Sequence, residues 1–296
     1  MTFAPGPVVV RVPATSANLG PGFDSLGLAL ELRDELEATI TGSGLGVEVV
    51  GEGAGDVSRD ETHLVVRAMQ ATFDALDARP GGLLLSCRNR IPHARGLGSS
   101  AAAIVGGVCL ARALVEGGPE RLPDDAAFRL AAELEGHPDN VAPALYGGLT
   151  VAGRTAGVCY ATRTPVARGF RAVAFVPPTS LSTTVARGLL PEAVPLRDAA
   201  ANAGRAALLV TALAGRLDLL FTATEDQLHQ PYRRPAMPDS LDLLDRLRAD
   251  GHPAVVSGAG PTVLVLIADD RDLSPYTPDG WSRLLLDVAA DGVQVG

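Results

Sequence analysis

The stretch IPHARGLGSSAAA, residues 91–103, decides how the rest of the chain is interpreted. Its glycines, Gly96 and Gly98, let the backbone turn sharply and approach a ligand closely. Ser99 and Ser100 follow with two hydroxyl groups, and a long alanine-rich helix is predicted to begin there. The start of such a helix offers unpaired N–H groups and the positive end of the helix dipole, which favour a phosphate group. A plain glycine turn before a helix has the same pattern, so this stretch alone leaves both interpretations open.

Two other segments are unusually rich in small residues. Residues 13–22 read PATSANLGPG and follow a β-branched run, residues 8–12, that predicts a strand. Residues 257–262 read SGAGPT and lie between two predicted strands. Asn18 in the first segment and Asp24 just after it have side chains suited to substrate binding, but both residue types are also common in turns. Each segment alone is therefore weak evidence for a functional site.

The remaining patterns predict an α+β protein with two lobes. Hydrophobic periodicity predicts helices at about 62–76, 99–115, 124–135, 182–189, 196–215, 216–226, 240–250 and 280–290. Strands are predicted at 8–12, 26–32, 36–40, 47–50, 83–87, 149–151, 158–162, 172–176, 254–257 and 262–267. Because helices and strands do not alternate strictly, a doubly wound sheet or a barrel is disfavoured. The charged stretch at 163–169 contains a proline and is the best predicted boundary, giving domains at 1–163 and 164–296.

Composition excludes several classes of protein. The 296 residues include 25 basic and 34 acidic side chains, and the net charge of −9 argues against a nucleic-acid partner. Every basic residue is arginine, which excludes a phosphate-binding P-loop lysine and a lysine Schiff base. Cys87, Cys109 and Cys159 stand in apolar runs, which predicts reduced thiols in the core. The chain shows no leader pattern and no apolar run of membrane length, so we expect a cytoplasmic protein without a membrane partner.

In combination, the three small-residue segments resemble those of the GHMP kinase superfamily. Residues 92–102 match its P-x-x-x-G-L-G-S-S-A-A signature, and PATSANLGPGFDSLGLAL at 13–30 resembles the homoserine kinases within it. Three further segments resemble the same family: EGHPDNVAPALYGG at 135–148, STTVAR at 182–187 and HQPYR at 229–233. This resemblance extends over nearly the whole chain. It implies a two-lobe GHMP kinase fold, with an N-terminal lobe like ribosomal protein S5, a ferredoxin-like C-terminal lobe and a site between them.

The resemblance also implies an activity, the transfer of the γ-phosphoryl group of ATP to the side-chain hydroxyl of L-homoserine, a step towards threonine. The ATP-binding residues it implies are Pro92, His93, Ala94, Arg95, Gly96, Leu97, Gly98, Ser99, Ser100, Ala101 and Ala102. The substrate-binding residues it implies are Asn18, Asp24, His137, Asn140, Thr183, Arg187, Arg233 and Gly258. Two of these are also expected to act in catalysis. Asn18 would lie where the substrate hydroxyl points, and Asp24 would orient the substrate first and act as a base second.

A magnesium ion is expected to bridge the ATP phosphates, held by hard oxygen ligands. The candidates are Ser99 or Ser100, with Ser99 preferred, and one glutamate before the HPDN segment. Glu135 keeps the register of that motif, whereas Glu133 fits better in the preceding helix, so both remain candidates. The resemblance implies that Arg187 and Arg233 bind the substrate carboxylate, and the planar arginine fork suits such two-point binding.

Two alternatives belong to different classes. Mevalonate kinases and diphosphocytidyl-methylerythritol kinases share the glycine–serine loop but use a lysine in the first motif, and this chain has no lysine. A non-catalytic binding module of the same fold would be expected to have eroded loops, and all three loops are intact. A homodimer is compatible with the resemblance, and nothing else in the sequence bears on assembly.

Overall fold

Two β-sheets organise the protein in a computed structural model that describes residues 2–296. The strands of the larger sheet are β1 (Val8–Ala17), β2 (Leu26–Thr41), β3 (Gly44–Gly51), β4 (Gly82–Asn89), β5 (Leu149–Thr155), β6 (Val158–Thr164) and β11 (Gln294–Val295). Their main order is β11-β1-β2-β4-β3, and β5 pairs with both β2 and β6. Only the β3–β4 pair is parallel among these described strands. This sheet is the centre of the first lobe.

The helices of the first lobe are α1 (Leu64–Ala75), α2 (Ser99–Leu114), α3 (Gly118–Arg121), α4 (Asp124–Glu135) and α5 (Pro138–Tyr146). Helix α2 is central, since it contacts β1 as well as α1, α4 and α5. Its small residues permit this close packing: a Cβ atom on Gly107 would lie 2.6 Å from the carbonyl oxygen of Val65 in α1. The alanine-rich composition of α2 therefore reflects burial on nearly all sides.

The second lobe contains a four-stranded antiparallel sheet in the order β10-β7-β9-β8. These strands are β7 (Arg171–Val176), β8 (Ala254–Val256), β9 (Val263–Ile267) and β10 (Ser282–Asp287). The lobe also contains α6 (Thr183–Gly188), α7 (Leu196–Leu213), α8 (Leu220–Ala223), α9 (Pro238–Ala249) and short 3₁₀ turns at Leu217–Leu219, Pro231–Ala236 and Ser274–Tyr276. Both faces of β9 are buried, which explains its continuous apolar sequence, VLVLI.

The side chains of β7 divide between two cores. Val173 and Phe175 belong to a core with the buried leucines of α9. Ala172 and Ala174 point the other way and belong to the core that continues into the first lobe. This alternation is the period-two pattern of a strand, and it places the second sheet against the first lobe along one face.

The predicted α+β architecture is confirmed, and most predicted elements are present with shifted ends. The helix predicted at 280–290 is wrong: β10 lies there and pairs with β7 from Ser282 to Asp287. Its leucine run is compatible with either structure, and the open edge of β7 decides the outcome. The two strands predicted at 26–32 and 36–40 are one strand, β2, whose register shifts opposite Pro13 and Ala14.

The final strand returns to the first lobe. Residues 294 and 295 of β11 pair with β1, and Val9 exchanges backbone hydrogen bonds with Gly296. The domain boundary between 163 and 164 stays a prediction. β11 lies in the second predicted domain but pairs with β1 in the first sheet. The three cysteines are buried and unpaired, as predicted for core thiols. None of the helices in residues 2–296 is both long and apolar enough to cross a membrane.

Candidate active site

A cavity of about 250 Å³ lies where the three small-residue segments meet between the lobes, and we call it the inter-lobe cavity. All eight residues predicted to bind substrate line it: Asn18, Asp24, His137, Asn140, Thr183, Arg187, Arg233 and Gly258. A second cavity of about 420 Å³ lies within the first lobe, and we call it the first-lobe cavity. Ala94, Ser99 and Ser100 line both cavities, so both lie beside the start of α2.

The glycine–serine loop places the start of α2 at the junction of the two cavities. Gly98 precedes the helix in a left-handed conformation, φ +70°, and no side chain caps the first turn. The backbone N–H groups of the first turn of α2 are therefore available to an anion. A Cβ atom on Gly98 would lie 1.9 Å from Oγ1 of Thr15, and one on Gly96 would lie 2.2 Å from the carbonyl oxygen of Ser257. Glycine is thus required by packing between the three loops, in addition to any approach of a ligand.

Glu135 is the acidic residue that the fold brings to the loop. Its carboxylate accepts a hydrogen bond of 2.6 Å from the hydroxyl of Ser100, and it lines the inter-lobe cavity. Burial raises the pKa of Glu135, although the bond from Ser100 partly offsets this. Glu133 is exposed and does not line either cavity. Ser99 lines both cavities.

The arrangement fits a magnesium ion bound mainly through nucleotide phosphates. A serine hydroxyl and a carboxylate are hard oxygen donors, which Mg²⁺ prefers while keeping water and phosphate as its other ligands. Among residues 2–296 no group of three His, Cys, Asp or Glu side chains converges as an all-protein metal site would. Ser99, Ser100 and Glu135 are therefore candidate ligands that a bound nucleotide would complete.

Within the acceptor loop, residues 18–24, Asn18 is joined to the second lobe through the carbonyl group of Gly258. The carbonyl oxygen of Gly258 accepts hydrogen bonds from Nδ2 of Asn18 at 2.8 Å and from Nη1 of Arg233 at 2.9 Å. The Oδ1 atom of Asn18 accepts a bond of 2.9 Å from the backbone N–H of Asp24. Asn18 itself has φ +68°, a conformation that asparagine tolerates better than most residues. The three motifs thus meet around Asn18.

The two predicted carboxylate-binding arginines differ in their present partners. Arg187 donates two hydrogen bonds to the carboxylate of Asp24, one of them at 3.1 Å. Arg233 is only 1% exposed. The Nε atoms of both arginines are buried without a hydrogen-bond partner. Burial and the nearby Arg187 lower the pKa of Arg233 to about 10. Asp24 already pairs with Arg187. Among residues 2–296 no carboxylate forms an ion pair with Arg233, whose Nη1 donates only to the carbonyl oxygen of Gly258, so Arg233 is the better candidate to bind an anion.

Asp139 is a cavity residue that the sequence analysis did not identify. It is 2% exposed, lines the inter-lobe cavity, and its Oδ1 is buried without a partner. Burial, followed by repulsion from Asp24, raises the pKa of Asp139 to about 7. Its position between His137 and Asn140 in the HPDN segment was the available signal. Burial and Arg187 lower the pKa of His137, so its ring is biased towards the neutral form.

The first-lobe cavity depends on a buried carboxylate of a different kind. Oδ1 of Asp34 accepts the backbone N–H groups of Arg90 at 2.6 Å and Ile91 at 2.9 Å. These bonds lower the pKa of Asp34, but desolvation outweighs them and the net shift is upward. The wall also includes residues that sequence reasoning missed, namely Leu36, Asp56, Val57, Ser58, Thr62, His63, Leu64, Val65, Cys87, Asn89 and Ala103.

The residues predicted to bind ATP separate into two groups. Those that line a cavity are His93, Ala94, Gly96, Gly98, Ser99 and Ser100. Those that line neither cavity are Pro92, Arg95, Leu97, Ala101 and Ala102. The side chain of Arg95 donates instead to the carbonyl oxygens of His93 at 2.6 Å and Pro177 at 3.0 Å. This second group supports the loop by packing and hydrogen bonding.

Comparison with protein families agrees with this arrangement. Residues 63–148 match the GHMP kinases N terminal domain, and residues 205–274 match the GHMP kinases C terminal family. The two matches cover the glycine–serine loop and much of the second lobe. Fold and site together define the protein as a GHMP kinase.

Comparison with individual proteins is more specific. A homoserine kinase from Streptomyces avermitilis is 53% identical, with 99% of this chain and 97% of that protein aligned. One from Streptomyces coelicolor is 56% identical, with coverages of 99% and 96%. The crystal structure of homoserine kinase from Cytophaga hutchinsonii shares the fold, with a TM-score of 0.85 at 24% identity over 100% of this chain and 99% of that one. The chain belongs to the homoserine kinase family.

Proposed function

We propose that the protein transfers the γ-phosphoryl group of ATP to the side-chain hydroxyl of L-homoserine, giving O-phospho-L-homoserine and ADP in threonine biosynthesis. One observation carries this proposal. Eight polar, charged or glycine residues from both lobes line a single cavity beside the uncapped start of α2. The identity to homoserine kinases along almost the full chain supports the choice of substrate.

The phosphates would lie at the junction of the cavities, against the N-terminal turn of α2. The helix dipole and the backbone N–H groups there supply the positive potential that lysine supplies in other kinases. The nucleoside would then occupy the first-lobe cavity, which has the larger volume and contains His63 and His93. This leaves the inter-lobe cavity for the acceptor.

Homoserine would be oriented by charge in the inter-lobe cavity. Its carboxylate fits the buried, unpartnered Nε of Arg233, with Arg187 nearby. Its ammonium group fits the two carboxylates, because Asp139 has a buried oxygen without a donor and Asp24 is half-exposed beside it. Asn18 and Asn140 would contact the side-chain hydroxyl. Thr183, His137 and Gly258 complete the wall.

The chemistry then consists mainly of positioning. The homoserine oxygen forms a bond to the γ-phosphorus while the bond from that phosphorus to the β–γ bridging oxygen breaks, and the hydroxyl proton passes to solvent or to Asp24. A loose transition state does not require early removal of that proton. Asp24 is held by Arg187, so we assign it an orienting role before that of a base. Bound Mg²⁺ would neutralise charge on the phosphates, and Ser99, Ser100 and Glu135 would hold it.

Two broader proposals accompany the activity. The three unpaired, buried cysteines and the acidic composition support a cytoplasmic protein without a nucleic-acid partner. A homodimer stays a prediction from the family resemblance.

The activity is tested by measuring ADP release with homoserine, threonine, mevalonate or no acceptor. We expect release to depend on homoserine and the product to be O-phosphohomoserine by mass spectrometry. Equal release with mevalonate, or release without any acceptor, would contradict the proposal. Removing Mg²⁺ with a chelator should abolish turnover, and adding Mg²⁺ back should restore it.

A further inference from the structure

The second lobe holds the acceptor loop at two buried points. The Nε2 atom of His229 lies 2.8 Å from the carbonyl oxygen of Gly20, and Nδ2 of Asn202 donates to the carbonyl oxygen of Pro21 at 2.7 Å. His229 is 0% exposed and Asn202 is 3% exposed. A Cβ atom on Gly20 would lie 2.8 Å from the carbonyl oxygen of Thr224, so the loop packs directly on the second lobe.

The hydrogen bond defines the protonation of His229. A carbonyl oxygen can only accept, so Nε2 carries the proton, and Nδ1 is buried without a partner. Burial lowers the pKa of His229 to about 4, despite the opposing attraction of Asp226. Arg233 also disfavours a second positive charge. The ring is therefore a neutral donor of one hydrogen bond.

The backbone around His229 is itself fixed. The carboxylate of Asp226 accepts the N–H groups of Leu228 at 3.0 Å, His229 at 3.0 Å and Gln230 at 2.7 Å. Asn202 also stabilises this turn, because its Oδ1 accepts a hydrogen bond of 3.1 Å from the backbone N–H of Gln227. The imidazole is thus presented to the loop from a rigid turn.

His229 also supports an aromatic ring of the loop. Its imidazole stacks on Phe23, with ring centroids 5.0 Å apart and an interplanar angle of 24°. The guanidinium groups of Arg187 and Arg233 lie 5.4 Å and 5.9 Å from the centre of the same ring. A shift of Phe23 would therefore move Asp24 and both arginines of the inter-lobe cavity together.

We propose that His229 is a positioning residue, which sets the place of the acceptor loop through Gly20 and Phe23 and so determines affinity for the acceptor substrate. The proposal rests on the proposed function only for the identity of that substrate. It predicts that loss of the Nε2–H donor loosens residues 18–24, while the nucleotide site of the first lobe is unaffected.

The test compares His229→Gln with His229→Asn. The amide nitrogen of glutamine can occupy the position of Nε2, whereas that of asparagine matches Nδ1 and cannot reach Gly20. We expect His229→Asn to raise KM for homoserine about tenfold, as loss of one buried hydrogen bond would. KM for ATP should change less than about twofold, and His229→Gln should recover most of the homoserine affinity.

Hydrogen exchange of the amides in residues 18–26 gives a readout that needs no activity. Exchange in this segment should be faster in His229→Asn than in His229→Gln or the unmodified protein. Leu247→Ala, in the core of α9 away from the loop, serves as a control for general destabilisation. Equal exchange in the two His229 variants, or equal increases in both KM values, would overturn the proposal. Absence of homoserine-dependent turnover in the unmodified protein would instead refute the proposed function, and the exchange result would still decide the role of His229.

Discussion

The two cavities meet at Ser99 and Ser100 but are built in different ways. The inter-lobe cavity is lined by charged and polar side chains from both lobes, and hydrogen bonds from Asn18 to Gly258 and from Arg187 to Asp24 cross the lobe boundary there. The first-lobe cavity is formed within one lobe, by residues of strands β2 and β4, helices α1 and α2, the loop before α1 and the loop before α2. Under the proposed function, charged groups in the inter-lobe cavity recognise the acceptor, and the shape of the first-lobe cavity recognises the nucleoside. A substitution in one cavity should therefore alter one substrate and spare the other.

The buried carboxylates show the same contrast. In the first-lobe cavity, Oδ1 of Asp34 accepts two backbone N–H groups. In the inter-lobe cavity, Oδ1 of Asp139 is buried without a donor. A carboxylate oxygen bonded to the backbone supports structure, whereas a buried oxygen without a donor is available to a ligand.

The largest effect is expected at the junction of the cavities. Glu135→Gln should lower kcat by about 100-fold and raise the Mg²⁺ concentration needed for activity, because a neutral amide binds the ion less well than a carboxylate. Glu133→Gln is the matched control, two residues earlier on the same helix, and should leave both quantities unchanged. Steady-state rates across a Mg²⁺ titration provide the measurement. A reversed pattern would transfer the assignment to Glu133.

The next effect tests the charge of the inter-lobe cavity. Arg233→Ala should raise KM for homoserine about 30-fold, because a charge-assisted hydrogen bond contributes ~2 kcal/mol. Arg233→Lys should recover only part of this, since lysine lacks the planar fork. KM for ATP should be unaffected in both variants. The exposed neighbour Arg234, which pairs with Asp242 and Asp245, provides the control Arg234→Ala.

A substrate analogue completes the test of Arg233. A homoserine analogue without the carboxylate should be a poor substrate for the unmodified protein, and Arg233→Ala should impair it little further. If Arg233→Ala lowers kcat/KM by the same factor for homoserine and for this analogue, Arg233 acts through folding, and the assignment of Arg233 to the carboxylate is wrong.

A smaller effect tests the shape of the first-lobe cavity. Ala103 on α2 lines this cavity only, so Ala103→Leu should fill part of it and raise KM for ATP about tenfold. KM for homoserine should stay within about twofold. Ala113→Leu, on the same helix but beside a different cavity, controls for the added volume. An increase confined to KM for homoserine would show that the nucleoside does not occupy the first-lobe cavity.

The smallest effect concerns stability and pH. The pKa of Asp139 is about 7 in the folded protein, whereas its ordinary value is 3.8. Between pH 3.8 and pH 7 the folded state therefore keeps a proton on Asp139 that the unfolded state has lost. Asp139 makes its full contribution to the free energy of unfolding below pH 3.8, and this contribution is lost as pH rises through 7. Asp139→Asn should therefore raise Tm by a few degrees at pH 8 and much less at pH 5.

Thermal unfolding from pH 5 to pH 8 measures this difference. Asp279→Asn, at an exposed position, should show no such trend. A lower Tm for Asp139→Asn at every pH would mean that the carboxylate itself stabilises the fold.

The contrast between the cavities also explains what the sequence could predict. Asn18, His137 and Arg233 stand in compact motifs whose residue types are unusual for a core, so their convergence was foreseeable. Val57 and Cys87 line the first-lobe cavity from a loop and a strand of ordinary composition. Nothing local distinguishes such residues from other apolar ones, because their role depends on strand register and on which face is left open.

The same reasoning applies to the fold. Helix α2 was predictable because a run of small residues from Ser99 has both helix propensity and a glycine start. Strand β10 was not, since leucines at 284–286 suit a helix, and only the open edge of β7 makes them a strand. The local preference of a segment for helix or strand predicts its structure correctly where the tertiary contacts favour the same structure.

The return of β11 to β1 has a consequence for the order in which the chain folds. Val10 and Val295 are partners in one sheet but are separated by nearly the whole sequence. During synthesis β1 can pair with β2 early, yet its other edge stays open until residues 294 and 295 have left the ribosome. Contacts of such long range form late and slowly, and an exposed strand edge invites pairing with other chains. A nascent chain stalled before residue 294 should therefore be the species most in need of a chaperone.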